Sequence, residues 1–178
     1  LIDAAATFTI SSDASFNSVT VGKGANSVAG NTAVGENALD ASVSGGNNTG
    51  IGSDALTANT SGTLNTAIGR NVLAGNTTGQ QNTAAGVSAL ATNTTGDNNT
   101  AFGRDALFAN TTADNNTAVG KSALEANTTG YTNTAVGREA AKSITTGYGN
   151  TALGSDSLEA NQTGIYNTAV GLSSLGNT

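Results

Sequence analysis

The sequence predicts an all-β chain: a parallel β-solenoid (β-roll or β-helix) of 17-residue coils, each burying its apolar side only against the coils above and below. Three observations predict it. An Asn-Thr pair opens nine successive segments, at Asn31, Asn48, Asn65, Asn82, Asn99, Asn116, Asn133, Asn150 and Asn167, 17 residues apart every time. Glycine stands at the fifth position of all nine segments, from Gly35 to Gly171, and recurs at the fifteenth from Gly45 to Gly164, with Ala113 among them. The clearest segment, residues 116–132, has no run of strong helix formers, and helical solenoid repeats are longer, about 33–47 residues.

Composition narrows the function classes. Charged residues are 10% of the chain, against about 25% in typical soluble domains. Such polarity could signal disorder, but a disordered tract has no reason to hold Val and Leu at fixed offsets. A net charge of −6 argues against nucleic acid or an anionic bilayer as partner. No run of about 18 apolar residues exists to cross a membrane. Without His or Cys the chain can build neither a Ser-His-Asp triad nor a zinc site. The Gly-Gly-x-Gly-x-Asp frame of calcium-binding rolls does not occur. Carboxylates remain for glycosidase chemistry, yet they sit singly on expected solvent edges. No catalysis, cofactor or metal is therefore expected. The chain starts without Met and stops 12 residues into its last segment, which reads as a processed or excised piece.

Residues 1–16 fall outside the period and are expected to form a strand, either a cap or an inter-subunit connector. Within them Ala6-Thr7-Phe8-Thr9-Ile10-Ser11 alternates apolar with polar. Residues 17–178 are the expected solenoid. Its opening Ser18-Val19-Thr20-Val21-Gly22 anticipates Asn31-Thr32-Ala33-Val34-Gly35 at a spacing of 13, and reads as a shorter first coil. From Asn31 the fourth position is Val34, Ile51, Ile68, Ala85, Phe102, Val119, Val136, Leu153 and Val170, expected to point inward. The ninth, Leu39 to Leu175 with Leu124 and Ala141 among its members, forms a second inward column. Ala fills the third position except at Gly50, and dominates the eighth, so the walls lie close together. Gly120, Gly137 and their equivalents mark a corner where a Cβ has no room. One Val and one Leu per coil cannot offset the ordering of its backbone, so ladders between coils are obligatory, and sharing the thin core among three chains favours a homotrimer.

The polar columns are equally regular. Asn116 and Asn133 belong to a column expected to bond along the rod, with Thr117 and Thr134 aligned on a strand face. A second array, with Thr77-Thr78, Thr94-Thr95 and Thr128-Thr129, is expected near a surface corner. Flat Thr faces also serve ice binding, an alternative this array leaves open. Charges follow the corner glycine at Glu36, Asp54, Arg70, Arg104, Asp105, Lys121, Arg138, Glu139 and Asp156, an expected solvated edge. Tyr131, Tyr148 and Ile165 share position 16, with Tyr166 alongside; this aromatic edge is the candidate ligand site, for sugar or protein, or a plain stacking ladder. Asn-x-Thr sequons at Asn76, Asn93, Asn110 and Asn127 follow from the repeat.

The Asn-Thr-Ala-Val-Gly, Ala-Leu and Asn-Thr-Thr-Gly elements of residues 116–130, preceded by Asn17-Ser18-Val19-Thr20-Val21-Gly22-Lys23-Gly24, resemble the repeats of bacteriophage tail-fibre and bacterial surface proteins. More distantly they are similar to the head repeats of trimeric autotransporter adhesins, left-handed parallel β-rolls in a trimer. The resemblance covers residues 17–178. It departs in period, 17 residues here where adhesin heads have about 14, and no heptad stalk, membrane anchor or receptor-binding tip is recognisable. What the resemblance implies is an extracellular structural shaft, on a virion, a cell surface or a free filament. Its expected partner is itself, as a homotrimer or a head-to-tail polymer, with cell-surface glycan as a further candidate.

Overall fold

The computed structural model describes residues 14–16, 19–42 and 44–176. The expected strand at Ala6–Ser11 lies outside them. One sheet of 11 strands runs the length of the described chain. β1 (Ala14–Phe16) and β2 (Val19–Gly22) begin it, and nine three-residue strands follow, one per coil. These are β3 (Thr32–Val34), β4 (Thr49–Ile51), β5 (Thr66–Ile68), β6 (Thr83–Ala85), β7 (Thr100–Phe102), β8 (Thr117–Val119), β9 (Thr134–Val136), β10 (Thr151–Leu153) and β11 (Thr168–Val170). From β3 to β11 each pairs parallel with the next in 17-residue register, as in Thr117↔Thr134, Ala118↔Ala135 and Val119↔Val136. The rest of each circuit is laddered too: Leu107 N–H donates to Ala123 O at 3.0 Å, Leu124 N–H to Ala140 O at 3.0 Å, and Thr128 N–H to Thr145 O at 2.9 Å. No α-helix occurs among the described residues. The chain is therefore a β-solenoid.

The Leu column of the ninth position lies inside: Leu39, Leu56, Leu73, Leu90, Leu107, Leu124 and Leu158 are fully buried. Facing it are the Ala residues of the third and eighth positions, also buried. The fourth position, expected inward, points outward instead. Side chains alternate across a strand, and with Asn at position one and Ala at position three both buried, positions two and four must face out. Ile51, Ile68, Phe102, Val119, Val136 and Leu153 are between 36 and 45% exposed, which excludes them from the core. The interior holds one Leu column, Ala walls and two Asn columns.

A second expectation is corrected at the start. β2 is not a shorter coil running with the others; it pairs antiparallel with β3, Val21 opposite Val34 and Gly22 opposite Ala33, and β1 pairs antiparallel with β2. The spacing of 13 is thus real contact with reversed direction. A parallel return needs a full circuit of chain, whereas an antiparallel one needs only a tight connection. Gly24 and Gly30, at φ +75° and +77°, turn the chain within the short link, around a 3₁₀ turn at Ala25–Ser27.

Each complete coil bends through left-handed residues at positions seven, nine and seventeen, for example Asn71, Leu73 and Gln81 at φ +57°, +51° and +57°. Asn and Asp tolerate that region best among non-glycine residues, which accounts for Asn37, Asp54, Asn71, Asp105 and Asp156 at the seventh position. Leu gains its burial there against the same local strain. The corner glycines are more extreme. Gly103 has φ +131°, and a Cβ on it would stand 2.6 Å from the Gly120 carbonyl oxygen of the next coil. Gly120 faces the Gly137 carbonyl in the same way.

Candidate functional site

The columns singled out in the sequence divide into those spent on the rod and those left on its surface. Asn116 and Asn133 belong to the first group. Asn116 N–H donates to Asn99 Oδ1 at 3.0 Å and Asn133 N–H to Asn116 Oδ1 at 2.9 Å, while their Nδ2 groups donate to the carbonyls of Gly130 and Gly147, each at 2.8 Å. A second interior ladder runs through position 12: Asn76, Asn93, Asn110 and Asn127 Nδ2 each donate to the Oδ1 of the Asn one coil earlier, at 2.8–3.0 Å. In the sequence these residues read only as sequons. The signal that identifies them was their strict offset beside the position-15 carbonyls, which both ladders share. Their amides are buried and occupied, so the folded coil offers no acceptor there. The ladder stops at Ile144, and Asn127 Oδ1 is left without a hydrogen-bond partner.

Thr residues of position 13 are also structural. Thr77 and Thr94 Oγ1 donate at 2.9 Å to the carbonyls of Thr94 and Thr111, and Thr128 Oγ1 to Thr145 O at 3.1 Å. Their neighbours Thr78, Thr95 and Thr129 remain exposed. Thr117 and Thr134 lie half-buried on the outer sheet face beside Val119 and Val136. That face is a regular surface: a Thr column and a column of Ile, Val, Leu and Phe, repeating at the strand spacing of about 4.8 Å.

The tyrosines form a ladder. Tyr131 and Tyr148 are stacked with centroids 4.6 Å apart and planes at 6°, and Tyr166 meets Tyr148 edge-on at 5.3 Å. Ile165 does not continue the ring column. Tyr166, one position on, swings over Gly149, where a Cβ would meet the ring at 2.8 Å. A hydrogen bond with Tyr148 pushes the Tyr166 hydroxyl above the ordinary tyrosine range. Because Tyr131 and Tyr148 cover each other's facing sides, stacking on a sugar is open to fewer ring faces than three separate tyrosines would give.

The charged edge is ion-paired. Arg138 binds Asp156 at 2.7 Å and Glu139 at 3.0 Å; Lys142 lies 3.5 Å from Glu139, and Arg104 3.1 Å from Asp105. Glu139, Asp156 and Glu159 bring three carboxylates within 4.8 Å, but two of them are held by Arg138. Asp54 accepts from Asn37 Nδ2 at 2.9 Å and from the Ser53 hydroxyl at 2.9 Å, which holds its carboxyl below the usual range. No family model matches this chain, and neither the curated proteins nor the solved structures compared with it give a match.

Proposed function

We propose that this chain is the structural shaft, or a shaft subunit, of an extracellular fibre of the phage tail-fibre or bacterial surface type, a non-enzymatic rod assembled from copies of itself. The observation that carries the reading is the outward column Ile51, Ile68, Phe102, Val119, Val136 and Leu153, more than a third exposed along one continuous face. Contiguous exposed apolar surface of this kind marks interaction sites. The matching surface with the same repeat is another copy of this chain, because a rung spacing of about 4.8 Å recurs in both. Nine rungs give a strip about 40 Å long, and the seven residues bridging positions 17 to 6 make it at most about 20 Å wide. That is at most roughly 800 Å² per partner, which reaches the size of a standard stable interface only if the whole strip is covered. Three copies around one axis, the number the resemblance implies, would enclose all three faces.

The mechanism is mechanical. Continuous backbone ladders resist bending and leave few loops for proteases, so the rod holds whatever it carries at a distance. Glycan or ice binding draws less support: the tyrosines cover one another, and the bulky Phe102 and Leu153 interrupt a flat Thr face.

Replacing Phe102 and Val119 together by Asp should leave the far-ultraviolet spectrum of the rod in place, since both side chains point outward. It should lower the mass found by light scattering from an oligomer to a single chain of 17.3 kDa. A wild-type chain that is monomeric at every concentration tested would overturn the reading.

A further inference from the structure

All three tyrosines of the chain fall in three successive coils, and the chain has no Cys, Met, Trp or His. Thiols and thioethers, which usually take up an oxidant first, are thus absent, and the side chains most open to one-electron oxidation are gathered at one place. Tyr131 stacks on Tyr148 with centroids 4.6 Å apart, and Tyr148 meets Tyr166 at 5.3 Å with the planes at 83°. The second contact is built by a glycine. At position 17 the preceding coils carry side chains, among them Asn98, Asn115 and Thr132, whereas the coil of Tyr148 carries Gly149. A Cβ there would stand 2.8 Å from Tyr166 Cδ1 and 2.9 Å from its Cε1, so the absence of a side chain is what lets the Tyr166 ring lie against Tyr148. The hydrogen bond that raises the Tyr166 hydroxyl above its ordinary range comes from Tyr148, and it brings the hydroxyl-bearing ends of the two rings together. Tyr166 is 73% exposed and Tyr148 half-buried, so both are open to an oxidant in solution.

We propose that Tyr148 and Tyr166 are a site of oxidative cross-linking, joined by a carbon–carbon bond between ring carbons ortho to their hydroxyls. The co-reactant is hydrogen peroxide, acting through a one-electron haem peroxidase. Each phenol gives up one electron and its hydroxyl proton, leaving a phenoxyl radical with spin density on the ortho carbons. The two radicals pair to form the bond, and the ortho hydrogens then shift to the oxygens, which restores both rings. In all, two electrons and two protons leave the pair and reduce one peroxide to two waters. Edge-to-face rings with adjacent hydroxyls need only close the gap, because a biaryl bond tolerates a large twist between its planes. Tyr131 and Tyr148, face to face, would have to break their stack to bring two edges into line. The bond has a consequence for the rod. Asn127, Ile144 and Asn161 occupy position 12 of the same three coils, where the interior Asn ladder is interrupted. A link from Tyr148 to Tyr166 ties the Ile144 layer to the one after it.

The purified full chain, treated with a haem peroxidase and equimolar hydrogen peroxide, should gain dityrosine fluorescence and lose two hydrogens in mass while still running as a single chain in a denaturing gel. Trypsin identifies the pair, because cleavage after Lys121, Arg138 and Lys142 puts Tyr131 in 122–138 and both Tyr148 and Tyr166 in 143–178. The mass loss is expected within 143–178, and further cleavage after Glu159 should leave its two halves joined. Gly149→Asn suits the backbone, since Asn98 and Asn115 hold φ +58° and +60° at this position against +67° for Gly149. By displacing the Tyr166 ring it should lower the yield at least tenfold with the far-ultraviolet spectrum unchanged. Tyr166→Phe should do the same, and covers the case that the first variant does not fold. Predominant coupling of 122–138 to 143–178, or coupling between chains alone, would overturn the assignment. So would a folded wild-type chain that forms no dityrosine where free tyrosine in the same mixture does, and a Gly149→Asn yield equal to that of the wild type would remove the glycine from its positioning role. None of these outcomes bears on the fibre reading, which light scattering tests separately.

Discussion

Asn99→Ala should lower the stability of the rod by about 3–5 kcal/mol, read as a shift of the urea midpoint at unchanged slope. Asn99 is fully buried. Its Oδ1 accepts Asn116 N–H at 3.0 Å, and its Nδ2 donates to Asn82 Oδ1 at 3.2 Å and to Ala113 O at 2.8 Å. Truncation removes all three bonds. The Asn116 N–H is then left buried without an acceptor, which alone costs about 1–3 kcal/mol; the remaining two bonds and the space vacated supply the rest. Asn82 Oδ1 and Ala113 O keep other donors, Asn99 N–H and Asn110 Nδ2, and so add less. Thr95→Ala, at an exposed site off the sheet face, should change stability by no more than about 0.5 kcal/mol. Equal costs at the two positions would remove the Asn column from its structural role.

Gly103→Ala should be comparably severe, at about 2–6 kcal/mol, through a different cause. At φ +131° an L-residue is held in a region populated almost only by glycine, a strain of about 1–3 kcal/mol. The new Cβ also falls 2.6 Å from Gly120 O and 2.7 Å from its carbonyl carbon, and this is backbone that cannot rotate away. Forcing two coils apart adds about 1–3 kcal/mol. Gly171→Ala separates the two terms, because Gly171 shares the conformation, φ +117°, but has nothing within 4 Å of the added Cβ. It should show the strain alone, and thermal melts of the two variants should differ accordingly. A Gly103→Ala variant as mild as Gly171→Ala would mean that the coils are not packed backbone to backbone at this corner.

The stacking of these coils was legible because a fixed period leaves no other way to place identical residues. The corner glycines and the buried Leu column could be read for the same reason. The direction of the fourth position was not. Val, Ile and Phe normally signal a core, and what overrides that signal is the burial of Asn at position one, two residues before Ala at position three. Once Asn116 and Ala118 both face inward, strand alternation turns Thr117 and Val119 outward whatever their hydrophobicity. An interior Asn pays for its burial with hydrogen bonds along the rod, and a residue column read one coil at a time does not reveal them. The antiparallel start is hidden in the sequence for a related reason: the pairing of Val21 with Val34 has the same spacing in either direction.

The replacement of Asn by Ile144 bears on how the rod comes apart. A stack of near-identical layers behaves as a one-dimensional chain of units whose weakest joint sets where partial opening begins. With Asn127 Oδ1 unpartnered, the joints on both sides of Ile144, to Asn127 and to Asn161, lack the side-chain bond that links the layers from Asn59 to Asn127 at this column. Amide exchange should therefore divide the interior into two cooperative blocks meeting at the Ile144 layer, rather than fading smoothly from the ends. A repeat protein made uniform by its sequence would thus carry a weak layer at Ile144.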